Sequence, residues 1–136
     1  MPTDTNTPGT AWMQIVKKKG TSDFAESFTA DARLQATALS KAVVGPTLIG
    51  AFFAATSTMY EQFVFTAETV DGVKTYLEWD AIHAGKPIAG ATIVTRNESG
   101  LIYNIKLFQS PFDVVREFSS GLKERLQGTL GPDFFS

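Results

Sequence analysis

Three side chains that can move protons lie close together in the stretch Glu78-Trp79-Asp80-Ala81-Ile82-His83. His83 is the only histidine of the chain, and an unperturbed imidazole titrates near neutral pH, which suits general acid and base work. In an extended strand its side chain shares a face with Trp79 and Leu77. It reads equally as a half-exposed histidine where a strand runs into the turn at Gly85. Glu78 and Asp80 are two residues apart and share the opposite face, where paired carboxylates can divide acid and base roles or simply meet solvent or a partner. Trp79 offers a flat wall with one donor, as the side of a pocket or as the largest ring of a core. Tyr103 adds a hydroxyl, Arg96 a cation at a rim, and Asp31 a cap or turn residue.

Other chemistries lack their residues. With no cysteine there is no thiolate, disulfide or cysteine-held metal, and one histidine without a carboxylate cluster leads us to expect no metal. Nor does the chain carry a phosphate-cradling loop or a serine elbow, so no cofactor is expected. Twelve basic and 14 acidic residues give a net charge of −2, which supplies no electrostatic reason for nucleic-acid binding. Lys17 to Lys19, the one basic run, reads as the polar end of a short helix. At 136 residues, 43% hydrophobic and 19% charged, the chain suits one domain with a core of its own. Eleven phenylalanines make that core ring-rich, which suits a cavity as well as solid packing. Met1 to Thr10 is polar and contains proline; it reads as a flexible terminus, neither signal peptide nor membrane anchor, before a single domain over 11–136. A cytoplasmic protein without membrane contact is the expectation.

These side chains need elements to hold them. Trp12 to Lys19 predicts a short helix with Trp12, Ile15 and Val16 on one side, stopped at Gly20. Asp23 and Glu26 have capping-box spacing, and Phe24 and Phe28 lie one turn apart, so a second helix is expected over about Asp23 to Thr29, then a short extended piece from Ala32 to Ala36. After Gly45-Pro46 a third helix, Thr47 to Ser57, carries Leu48, Phe52 and Ala55 as its stripe, widened by Ile49 and Phe53. From Glu61 the period becomes two. Strands are expected over Glu61 to Thr69, Thr75 to His83, Ile88 to Arg96 and Leu101 to Gln109, separated by Asp71-Gly72, Ala84-Gly85 and Asn97 to Gly100. In the last strand Leu101, Tyr103, Ile105 and Leu107 share a face by simple alternation. Ser110 as cap, Pro111 as first residue and Asp113 open a final helix, with Phe112, Val115, Phe118, Leu122 and Leu126 at helical spacing. The terminal phenylalanines, Phe134 and Phe135, are expected to tuck against the domain.

The order of these elements, with the strings DFAESFTADARL, GPTLIGAFF and YLEWDAIHAGKPIAGATIVTRNESGLIYNIKLFQSP, resembles the nuclear transport factor 2-like superfamily, which includes SnoaL-like cyclases and steroid isomerases. The longest string carries the pattern: Glu78-Trp79 on a strand, a Gly85-Lys86 turn, and Glu98 to Ile102 leading into the last strand. The resemblance covers about Trp12 to Gly128. It implies an α+β cystatin-like cone, a curved antiparallel sheet that N-terminal helices and a C-terminal helix close around a pocket. It also implies a homodimer through the outer sheet face.

Activity does not follow from this fold. The base, tyrosine and acid positions of steroid-isomerase-like members align here with Ala36, Ile15 and Thr92, which cannot do that chemistry. The Arg and paired Asp of epoxide-hydrolase-like members have no counterpart beside Glu78 and Asp80. For cyclase-like or dehydratase-like chemistry His83 is the candidate catalytic residue, with Tyr103 or Thr92 orienting an oxygen. The expected pocket takes Ile15, Phe28, Phe52, Phe63 and Leu77, then Trp79, Thr92, Tyr103, Ile105 and Leu107. Two functions remain open: acid-base catalysis on a small apolar or polyketide-like molecule, and non-catalytic binding of a small apolar ligand or of a protein partner.

Overall fold

Period-two alternation from Glu61 onward builds most of one sheet, seen here in a computed structural model that describes residues 8–19 and 22–135. Helices α1 (Thr10–Val16) and α2 (Ser22–Ala25) lead into strand β1 (Phe28–Ala36), the short β2 (Val43–Val44) and helix α3 (Pro46–Thr56). Strands β3 (Glu61–Asp71), β4 (Lys74–His83), β5 (Lys86–Arg96) and β6 (Ile102–Ser110) follow, then helix α4 (Phe112–Arg125) and a 3-10 turn at Pro132–Phe134. The six strands lie in the order β2-β1-β6-β5-β4-β3. From β3 to β6 every pairing is antiparallel, but β1 runs parallel to β6, so the sheet is mixed rather than purely antiparallel. About half of the chain, residues 37–101, intervenes between those two strands, and no hairpin dictates their direction.

Tight turns set the register of the central strands. His83 pairs with Lys86 across Ala84 and Gly85, both left-handed with φ of 51° and 78°, the twist that a two-residue hairpin wants. Between β4 and β5 the pairing then runs without a shift from His83 opposite Lys86 to Lys74 opposite Thr95. Bulges bend the rest. Register shifts fall between Glu61 and Val64, between Phe65 and Ala67, and between Thr95 and Arg96. The bent sheet presents a concave inner face to α1, α3 and α4.

Several local expectations give way to tertiary demands. The second helix ends at Ala25, because Phe28 already begins the strand that pairs with β6; its ring still meets Phe24 at 4.7 Å. Ser110 pairs with Ala89 as the last residue of β6, so Pro111 occupies the N-cap of α4 without a side-chain cap. Val114, Val115, Phe118 and Leu122 form the buried face of α4, whereas Phe112 stands 73% exposed, at the helix's first position with the Arg116 guanidinium 5.4 Å from its ring. In α3 the buried stripe is Ile49, Phe52, Phe53 and Thr56, with Leu48 and Ala55 at its edges.

Both ends of the described region are tied to this frame. Gly9 caps α1 with φ of 79° and donates its amide to Glu68 Oε1 at 2.9 Å, which lays α1 across β3. Of the expected flexible terminus over residues 1–10, residues 1–7 lie outside the described residues, as does the helix stop at Gly20, and Thr10 begins α1. At the other end Phe135 is buried, the Ser40 amide donates to the Phe134 carbonyl at 2.7 Å, and Lys41 pairs with Asp133. No helix among the described residues is long and apolar enough to cross a membrane.

Candidate ligand cavity

Where α1 crosses the concave face, the helices do not fill the cone, and a cavity of about 220 Å³ remains. Helix α1 contributes Trp12, Met13 and Val16, and α3 contributes Phe53 and Thr56, with Ser57 at its C-cap. The opposite wall is Tyr60, Phe63 and Phe65 at the start of β3, with Trp79, Thr92 and Leu107 from the three central strands. Both tryptophans of the chain therefore line it.

The aromatic wall is held by ring-on-ring contact. Phe63 stacks on Trp79 with centroids 4.8 Å apart, and Tyr60 meets Trp79 edge-on at 5.4 Å and stacks on Phe118 at 5.0 Å. Across the cavity Trp12 packs edge-on to Phe53 at 5.5 Å. Trp79 is only 2% exposed, and its ring lies against Gly90, where any side chain would displace it.

Most polar groups at the cavity wall have a defined partner. Trp79 Nε1 donates to Thr92 Oγ1 at 3.2 Å. Gln109 Nε2 donates to the Tyr60 hydroxyl at 2.8 Å, while Gln109 Oε1 is buried without a partner among the described residues. Thr56 and Ser57 turn their hydroxyls back to the α3 carbonyls of Phe53 and Ala54. Burial pushes the Tyr60 phenol above its ordinary value, and the Gln109 hydrogen bond offsets only part of that, so Tyr60 keeps its proton throughout the neutral range. No Asp, Glu, His, Lys or Arg among the described residues lines the cavity.

The expected pocket residues divide accordingly. Phe63, Trp79, Thr92 and Leu107 line the cavity. Phe28, Phe52 and Ile105 are buried in the solid core instead, because α2 and α3 pack directly over β1 and α4 over β6. Ile15 is half-buried on the flank of α1. Leu77 lies beside a second concavity of about 400 Å³, together with Trp12, Val94 and Arg96; there Arg96 Nη1 donates to Thr75 Oγ1 at 3.2 Å.

Tyr103 is a correction: it is 43% exposed and turned outward. Thr95 pairs with Asn104 but Arg96 with Ile102, so Tyr103 is the extra residue of a bulge, and alternation breaks there. His83 is a second correction. It has the inner-face parity expected of it but lies four residues beyond Trp79, about 13 Å along the strand. There its ring meets Phe118 edge-on at 5.0 Å and its Nδ1 is 3.1 Å from the Met59 carbonyl, outside the cavity. Glu78 and Asp80 are exposed on the outer face.

Tyr60 was not legible as a site residue, whereas Phe65 follows Phe63 and Gln109 follows Leu107 by simple alternation. Tyr60 and Phe63 are three apart, which alternation assigns to opposite faces; the bulge at Gln62, with φ of 54°, brings both inward. For Trp12 and Val16 a signal existed, since they are four apart on one helical face with nothing in the local sequence to cover them.

No protein-family model and no curated protein matches the chain. Solved structures do. The chain is similar to a bacterial protein with a cystatin-like fold from Silicibacter pomeroyi, 21% identical, with a TM-score of 0.78 over 90% of this chain and 88% of that one. It is also similar to a steroid delta-isomerase from Pseudomonas aeruginosa, 17% identical, TM-score 0.76, covering 87% and 88%. An NTF-2 like protein from Burkholderia xenovorans gives 15% identity and a TM-score of 0.60, covering 82% and 89%. With helices at both ends closing a curved sheet, this chain has the nuclear transport factor 2-like, cystatin-like cone fold.

Proposed function

We propose that the protein binds a small, flat, largely apolar molecule in the cavity between α1, α3 and the central strands, without acid-base catalysis by a lining residue. The observation that carries this is the lining itself: six aromatic rings and no ionisable group but a phenol that stays protonated. Proton transfer from carbon needs a base within reach of the substrate, and His83, Glu78 and Asp80 are all elsewhere. For the same reason the steroid isomerase likeness is not extended to activity; of Ala36, Ile15 and Thr92 only Thr92 lines the cavity. Size supports a small ligand. A dry apolar cavity of about 150 Å³ takes benzene, and drug-sized ligands occupy about 300 Å³ or more, so about 220 Å³ suits one or two rings.

Because both tryptophans line the cavity, intrinsic fluorescence reads its occupancy directly. Ethylbenzene and naphthalene are expected to change tryptophan emission saturably and to raise the melting temperature. The stabilisation should approach about 2.7 kcal/mol at a hundredfold excess over Kd. A four-ring steroid should do neither. No response to the one- and two-ring compounds would overturn the reading.

We also propose that two copies pair through the outer sheet face. Tyr76, Ile93 and Phe108 give it an apolar strip, with Phe108 53% exposed. Glu78 and Asp80 share this face with Lys106, so opposite charges can meet under a two-fold axis. Light scattering should give twice the chain mass, and Phe108→Asp should halve it while leaving ligand binding intact. A native protein that elutes as a monomer at tens of micromolar sinks this pairing.

A further inference from the structure

We propose that the molecule held in this cavity is a hydrogen-bond acceptor, an aromatic or alicyclic carbonyl compound whose oxygen accepts hydrogen bonds from the hydroxyls of Tyr60 and Thr92. The inference rests on the cavity reading above and adds the polarity of the ligand. It follows from which hydrogen-bonding roles the lining has already used.

An indole N–H can only donate, so its contact with Thr92 Oγ1 fixes the threonine oxygen as acceptor and leaves the threonine proton unspent. Gln109 Nε2 does the same to the Tyr60 oxygen. Neither hydroxyl has a further partner among the described residues. Each is thus an oriented donor whose oxygen is already engaged, and a hydroxyl that accepts one bond donates the next more strongly. The phenol holds its proton because burial disfavours the phenolate, so its O–H remains available to donate throughout the neutral range.

The two donors are spaced by the sheet. Thr92 is opposite Leu107 and Gly90 opposite Gln109, so the residues that hold the two hydroxyls come from neighbouring inward rows of β5 and β6. On the other wall the hydroxyls of Thr56 and Ser57 have spent their protons on α3 carbonyls. Protons therefore face the ligand from the sheet and lone pairs from the helix, which orients a carbonyl toward β5 and β6.

Acetophenone and ethylbenzene test this, since they share a ring and a two-carbon chain and differ at one oxygen. Fluorescence titration of the native protein should show acetophenone binding about tenfold more tightly, the worth of one good hydrogen bond in a dry site. In Tyr60→Phe and Thr92→Val, each first checked for a cooperative melt, the ratio of acetophenone to ethylbenzene affinity measured in the same variant should shrink to about twofold or threefold. Equal affinity for the two probes in the native protein overturns the inference and leaves the apolar cavity reading standing. Failure of both probes to bind removes the cavity reading and this inference with it. A tenfold preference that survives both substitutions overturns the assignment to these two hydroxyls.

Discussion

Trp79→Ala is expected to lower the unfolding free energy by about 4 kcal/mol, toward the upper part of the range for emptying a buried aromatic site. For a chain of this length the melting temperature should fall by roughly 12–20 °C. The expectation comes from position. Trp79 is 2% exposed, stacks on Phe63, meets Tyr60 edge-on and donates to Thr92. Its removal would join the void to the existing cavity of about 220 Å³, so the surroundings have little reason to collapse around it. Trp79→Phe should cost about 1–2 kcal/mol, since a ring is kept while volume and the indole hydrogen bond are lost. Urea unfolding with an unchanged m-value checks both. A loss below about 1 kcal/mol for Trp79→Ala would mean that the aromatic wall is not packed as described.

That one residue serves both packing and binding follows from the architecture. In a cone the inner face of the sheet is core at the narrow end and cavity wall at the wide end, and the same alternation produces both. Leu77, Trp79 and Ala81 all face inward from β4, and only Trp79 touches the cavity of α1 and α3. Strand parity therefore assigns a face but no depth. This is why the inward face of β4 was legible and the role of His83 was not: the alternation is correct, and the residue lies one strand-end too far along.

Parity was also legible only where the ladder is regular. The β4–β5 pairing has no register shift, and the sequence alternation there reads directly onto the faces. At Gln62 and at Tyr103 a bulge adds one residue, and every inference carried across it by counting changes sign. Neither bulge has a glycine to announce it. Helix phase was limiting in a similar way, because Phe52 and Phe53 differ by about 100° around the helix axis and only tertiary packing decides which faces the cavity. The overall cone needed none of this detail. Its element order, its turns and the break from helical to strand period are all local signals.

Gly90→Ala is expected to be nearly as damaging, by the opposite mechanism. A β-carbon built at Gly90 falls 2.2 Å from the Phe108 carbonyl oxygen and 2.5 Å from Trp79 Cζ2. Gly90 sits opposite Gln109 in the β5–β6 ladder, so the carbonyl cannot withdraw without disturbing strand pairing, and the indole can move only toward the cavity. Overpacking of this kind costs about 1–3 kcal/mol, and the backbone contact argues for about 3 kcal/mol. Gly85→Ala provides the contrast. Nothing lies within 4 Å of its added carbon, and only the left-handed φ of 78° resists it, at about 1 kcal/mol. The double variant Trp79→Phe with Gly90→Ala separates the two contacts at Gly90. Shrinking the indole relieves the contact with Cζ2 but leaves the Phe108 carbonyl in place, so the combined loss should fall below the sum of the single losses without returning to that of Trp79→Phe alone. Full additivity would mean that the ring and the glycine do not touch, and that the floor of the cavity is not built from this pair.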